Sequence, residues 1–88
     1  MDESFQLKII SPQSVLYEGQ AFAVSSTNSM GPFDILAEHA DFITIIENQT
    51  IIVRKPNKEK LTFTNPLSII YTQNNHCTIY VKTDFPIL

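Results

Sequence analysis

The chain has 88 residues, with nine acidic and six basic side chains and a formal charge of −3. It has room for one small domain, residues 1–88, and not two; the mild charge makes no electrostatic claim on nucleic acid, and 43% hydrophobic content excludes a disordered chain. A single cysteine, Cys77, excludes an internal disulfide, and no apolar run approaches the roughly 20 residues of a membrane-crossing helix.

Taken in order, the elements alternate with period two. Phe5, Leu7 and Ile9 alternate with Gln6 and Lys8, then Ser11-Pro12 breaks the run. Val15 and Tyr17 flank Leu16 ahead of Glu18-Gly19, and Phe22 and Val24 alternate with Ala21, Ala23 and Ser25. Ile43 to Ile46 and Ile51 to Val53 are short β-branched runs suited to strands buried on one or both faces. Leu61 and Phe63 alternate with Lys60, Thr62 and Thr64. Pro66 opens the run Leu67–Thr72, where its missing N–H is tolerated. Asn74-Asn75 suits a hairpin tip before Cys77, Ile79 and Val81, because Asn accepts positive φ. No helical stripe is present, so an all-β sandwich or barrel is expected. Cys77 reads as a buried, inert thiol. The acidic start lacks the apolar core of a signal peptide. The protein is therefore expected to be soluble and to meet a membrane only through a partner.

The most informative stretch is Gly31-Pro32-Phe33-Asp34-Ile35-Leu36-Ala37-Glu38-His39-Ala40-Asp41-Phe42-Ile43-Thr44. It resembles the epsilon subunit of F-type ATP synthases, whose pattern reads roughly G-x-F/L-G-I-L-P-x-H-A-P-L-x-T; Gly31, Phe33, Ile35, Leu36, His39, Ala40 and Thr44 match. Phe5–Pro12 resembles that family's first strand, Val15–Gly19 its second, and Leu67–Thr72 with Cys77–Val81 its closing pair. The resemblance implies a ten-stranded β-sandwich of two five-stranded sheets. It implies a rotor subunit of the central stalk that binds gamma and the c-subunit ring, couples ion-driven rotation to ATP synthesis, and performs no bond chemistry. No cofactor and no metal is implied, and the isolated chain is expected to be a monomer without nucleotide affinity. It would be peripheral to the energy-transducing membrane, on the cytoplasmic face of a bacterial inner membrane. Residue by residue, Ser11, His39 and Ala40 are the implied gamma contacts, and Met30, Gly31, Pro32, Phe33 and Asp34 the implied c-ring contacts. The chain stops at Asp84–Leu88, where the family's C-terminal helical hairpin would begin, and so reads as a short form or a truncated one.

The sequence departs from the pattern at Pro32, Asp34, Ala37, Glu38, Asp41 and Asn65-Pro66, several of which replace glycines. A left-handed backbone at such positions would carry strain, least for Asn and Asp. His39 beside Asp34, Glu38 and Asp41 has the ingredients of a general base, yet the chain carries no G-x-S-x-G and no metal spacing; a structural corner histidine and a partner contact remain the alternatives. The acids have two readings as well, solvated loop residues or a docking surface for a basic partner, such as the arginine common on this family's c-ring loop. Four bases and one acid in Arg54–Lys60 do not separate phosphate binding from a solvated turn. Two other classes stand beside the rotor reading: a free-standing β-sandwich binding module derived from this domain, and a small hydrolase or lyase built on the Asp34/His39 corner.

Overall fold

The computed structural model describes residues 3–85. Nine strands run in chain order: β1 (Phe5–Ile10), β2 (Val15–Ala21), β3 (Ala23–Asn28), β4 (Gly31–Ile35), β5 (Phe42–Ile46), β6 (Thr50–Arg54), β7 (Lys60–Thr64), β8 (Ser68–Gln73) and β9 (His76–Val81). They form a five-stranded sheet, order β2-β1-β9-β8-β5, and a four-stranded sheet, order β4-β3-β6-β7. The neighbouring strands are antiparallel except β1 and β9, which run parallel through the middle of the larger sheet.

This is the expected β-sandwich, with nine strands among the described residues where the resemblance implies ten. The chain between β4 and β5 turns instead of pairing: the N–H of His39 donates to the carbonyl of Leu36 at 3.2 Å, and Glu38 takes φ 61°. Glu38 is the one departed glycine-type position with a left-handed backbone; Asp34 and Asn65 have none.

The period-two pattern sets the core. Leu7 and Ile9 of β1, Ile70 of β8 and Cys77 and Ile79 of β9 face Val24, Ile35, Ile51, Val53 and Phe63 of the other sheet, all buried. Each large side chain removed from water contributes roughly 1.5–3 kcal/mol. Asn74 (φ 52°) and Asn75 (φ 62°) form the two-residue hairpin tip between β8 and β9, the expected use of two residues that tolerate positive φ.

Two expectations are corrected. Phe22 does not share a face with Val24: it lies at the bend between β2 and β3, 48% exposed, while Ala21, Ala23 and Val24 are buried. The chain changes sheets there, and the N–H of Phe22 donates to the carbonyl of Arg54 at 2.6 Å, so the alternation restarts. Val15 is exposed while Leu16 and Tyr17 both pack against the core, because the β1–β2 register shifts between Ile9 and Ile10.

The last described residues are tied down. Buried Asn65 donates from Nδ2 to the carbonyl of Thr83 at 2.9 Å and accepts from the N–H groups of Lys82 and Thr83 at Oδ1. Phe85 stacks on Phe63 with ring centres 4.3 Å apart, so the apolar C-terminal stretch begins by packing on the sandwich; Pro86, Ile87 and Leu88 lie outside the described residues. The Ser68 hydroxyl is buried without a hydrogen-bond partner, and nothing in the structure explains it.

Candidate functional site

The His39 corner is held from the opposite side of the chain. Asn75 Oδ1 accepts from the N–H of Glu38 at 2.6 Å, and Asn75 Nδ2 donates to the carbonyl of Ser4 at 3.2 Å. One side chain thus joins the β4–β5 corner, the β8–β9 tip and the entry to β1. His39 Nδ1 lies 2.7 Å from the Ala40 carbonyl, which can only accept, so Nδ1 carries the proton and donates. The ring meets Phe42 edge-on, centres 5.4 Å apart. Glu38, His39, Asp41, Asn74 and Asn75 line a shallow concavity of about 280 Å³. His76 is oriented in the same way, Nδ1 lying 2.9 Å from the Asn74 carbonyl. Among the described residues no group of three His, Cys, Asp or Glu is placed to hold a metal. Cys77 is buried, and burial pushes its thiol up to about 12 from 9.0, far from the thiolate that reactivity needs.

Ser11 sits at the opposite end of β1. Its Oγ accepts from the N–H groups of Gln13 at 3.2 Å and Ser14 at 3.1 Å, and the residue is buried. The hydroxyl shapes its own turn. A single partner that reaches Ser11 and also His39 and Ala40 must therefore lie along the length of the five-stranded sheet.

The third set, Met30 to Asp34, forms the tip and outgoing strand of the β3–β4 hairpin. Met30 is 92% exposed, Gly31 takes φ 119°, and Asn28 Oδ1 caps the turn by accepting from the N–H of Met30 at 2.8 Å. Pro32 is exposed, whereas Phe33 is half-buried against Phe42 with ring centres 5.4 Å apart. Asp34 is exposed, and its carboxylate accepts from Ser25 Oγ, to which Arg54 Nη1 donates at 3.3 Å. The tip therefore presents Met30 and Pro32 freely, while Phe33 and Asp34 have internal partners.

The register exposes one feature that the sequence reading missed. Ile45 pairs with Ile69, Ile69 with Tyr80, Tyr80 with Ile10, and Ile10 with Val15. These residues form one apolar row across all five strands on the outer face. Ile45 is 57% exposed, Val15 52% and Tyr80 48%. The next row reads Ile43, Tyr71, Thr78, Lys8 and Glu18, and the row nearest the Asn74-Asn75 tip reads Gln73, His76, Gln6 and Gln20. The outer face thus grades from polar at the His39 end to apolar at the Ser11 end. Beside its β5 edge runs a groove of about 870 Å³, lined by Ile43, Ile45, Leu67 and Ile69 and by Thr27, Asn28 and Ser29 of the β3–β4 hairpin. Each strand's alternation is legible alone; the row is a property of how the strands are registered.

Comparison with known proteins places this geometry. Residues 4–86 match the family described as the ATP synthase delta/epsilon chain, beta-sandwich domain. The chain is similar to the ATP synthase epsilon chain of Sulfurimonas denitrificans, 38% identical over 53 residues, covering 60% of this chain and 41% of that one. It is also similar to the epsilon chain of Clostridium perfringens, 31% identical over 80 residues, covering 90% of this chain and 59% of that one. This chain thus spans about half the length of its curated relatives. Among solved structures, a chain of the Euglena gracilis mitochondrial ATP synthase (OSCP/F1/c-ring) superposes with a TM-score of 0.84 at 11% identity, covering 98% of this chain and 54% of that one. A chain of the Tetrahymena thermophila central stalk and c-ring superposes at 0.76 and 11%, covering 92% and 65%. At such identities these two likenesses establish the fold alone.

Proposed function

The chain belongs to the ATP synthase delta/epsilon-chain β-sandwich family, and on that footing we propose that it is a non-catalytic central-stalk subunit that binds gamma and rests on the c-ring. In this reading the outer face of the five-stranded sheet docks on gamma, with the Ile45–Ile69–Tyr80–Ile10–Val15 row at its centre and Ser11 and the His39–Ala40 corner at its two ends. The observation that carries the reading is that row. A solvated sheet face alternates toward polar residues, and an apolar stripe crossing five strands is the surface a stable partner covers, typically about 800 Å² on each side. The c-ring contact falls to the β3–β4 tip, through Met30, Gly31 and Pro32. Phe33 and Asp34 act as supports, since both are held from within.

In this reading the role involves no bond chemistry, and the Nδ1 contacts of His39 and His76 with backbone carbonyls orient the two rings. It places the chain at the periphery of the energy-transducing membrane, on the side where the catalytic head sits. Among the described residues no helix is long and apolar enough to cross a membrane.

Calorimetric titration against the cognate gamma subunit tests the reading, with Tyr80→Asp and His39→Ala beside the parent. One-to-one binding, lost in Tyr80→Asp and weakened in His39→Ala, is the expected result. A folded parent chain that does not bind gamma would sink the proposal and leave a free-standing binding module.

A further inference from the structure

The β6–β7 hairpin carries two structural costs at one place. Arg54 and Lys60 are direct cross-strand partners, so two cations face each other where an opposite pair would stabilise. Lys58 takes φ 72°, a left-handed conformation that glycine adopts freely and a lysine only under strain. The loop is well fixed: the N–H of Lys55 donates to Glu59 O at 2.9 Å, that of Lys58 to Lys55 O at 3.0 Å, and that of Glu59 to Asn57 Oδ1 at 3.0 Å. Any glycine would relieve the strain, and any acid at position 54 or 60 the repulsion. Costs that cluster at one spot and are held by a rigid frame mark function more often than accident.

The same hairpin walls a pocket of about 400 Å³ lined by Phe22, Arg54, Lys55, Pro56, Lys58 and Lys60, within the size range of small-ligand sites. Phe22 and Pro56 line it together with the side chains of four basic residues, whose aliphatic stems make the lining mainly apolar; the Lys55 head is turned to Glu59 and the Tyr17 ring. Lys55 is paired with Glu59 at 3.9 Å, and Arg54 reaches Ser25 and through it Asp34. Among the described residues Lys58 and Lys60 have no ion-pair partner. An aromatic face beside unneutralised cations suits a ligand that joins a flat ring to a doubly charged oxyanion. We propose that this pocket binds a phosphate ester of a planar aromatic ring, of the nucleoside phosphate class. The ring would lie against Phe22 and the phosphates would be held by Lys58, Lys60 and Arg54. The bound anion would remove the Arg54–Lys60 repulsion, which gives the ligand a differential hold on this hairpin. The site is distinct from the outer face of the five-stranded sheet and does not depend on how that face is used, and it departs from the expectation, implied by the family resemblance, that the isolated chain has no nucleotide affinity.

The test is titration of the 88-residue chain with ADP, with pyrophosphate and with adenosine, followed by proton–nitrogen correlation spectra and calorimetry. ADP is expected to shift the amides of Phe22 and of residues 54–60 saturably, with pyrophosphate at least about fivefold weaker and adenosine without measurable binding. Phe22→Ala is expected to weaken ADP about fivefold and leave pyrophosphate unchanged, while Lys58→Gln with Lys60→Gln weakens both about tenfold. Lys58→Gly, which relieves the strain, keeps the fold if either glutamine variant fails to. Absence of saturable shifts at millimolar ADP, or equal affinity for ADP and pyrophosphate, overturns the proposal. So does binding to phosphatidylglycerol vesicles without any response to ADP.

Discussion

On the five-stranded sheet the outward positions of one row are Val15, Ile10, Tyr80, Ile69 and Ile45. On the four-stranded sheet the outward positions are Ser25, Thr27, Asp34, Thr50, Arg54, Lys60, Thr62 and Thr64, interrupted by Ile52 and Pro32. Both sheets use the same alternation and the same inner chemistry, so the contrast is confined to residues that the core does not need. Thr, Ser and charged side chains keep the second face wet. Isoleucine and tyrosine on the first gain about 25 cal/mol for each Å² of apolar area only when something covers them. The two faces therefore separate what folding requires from what a partner requires.

The largest expected effect ignores the contrast, because the two faces share one core. The folded Cys77 thiol keeps its proton up to about 12, whereas the unfolded chain releases it at 9.0. Stability is therefore intact below pH 9 and falls above it, by about 1.4 kcal/mol per pH unit, until the folded thiol also ionises. Urea melts between neutral pH and pH 11 should show that slope, and Cys77→Val should remove most of it, the remainder coming from Tyr17, whose hydroxyl is also pushed up by burial and by Glu59. Next in size, Ile45→Lys should cost at least about 2 kcal/mol of gamma affinity, roughly 30-fold, without shifting the melting curve. Thr62→Lys, on the wet face, should leave that affinity unchanged; equal losses from both variants would erase the distinction between the faces. Asn75→Ala should cost about 2 kcal/mol in urea unfolding, since it removes two hydrogen bonds and places alanine at φ 62°. Asn75→Gly, which suits that backbone, should cost about half as much, and the difference isolates the strain. The smallest effect has the opposite sign. Lys58→Gly should raise the urea midpoint by the equivalent of about 0.5–1 kcal/mol with no change in slope.

Much of the fold was legible because strand alternation is a local property. The runs at Phe5–Ile9, Leu61–Phe63 and Cys77–Val81 all became strands with the expected buried set, and Asn74-Asn75 became the hairpin tip. Phe22 and Val15 broke the pattern where the chain changes sheets and where the register shifts, events decided by tertiary pairing. The glycine-replaced positions carried less strain than their residue types suggested, with Glu38 alone left-handed. Site legibility was poorer for the same reason. The His39 corner stood out by composition, but its fixation by Asn75, 37 residues away, left no mark in the sequence. The Asn65 clamp occupies a position read only as a departure from a glycine pair. The apolar row is spread over Ile10, Val15, Ile45, Ile69 and Tyr80, and no window of sequence contains it.

The parallel pairing of β1 with β9 bears on how the chain reaches this state. The hairpins β3–β4, β6–β7 and β8–β9 close over short loops, but β1 occupies the middle of its sheet and waits for a neighbour made about 70 residues later. Until β9 arrives, Phe5, Leu7 and Ile9 form an apolar strand paired at most on one side, with β2. Such non-local closure slows folding and exposes an unpaired edge meanwhile. During synthesis β1 is thus made before every other strand of its sheet and is enclosed on its second side only when β9 becomes available.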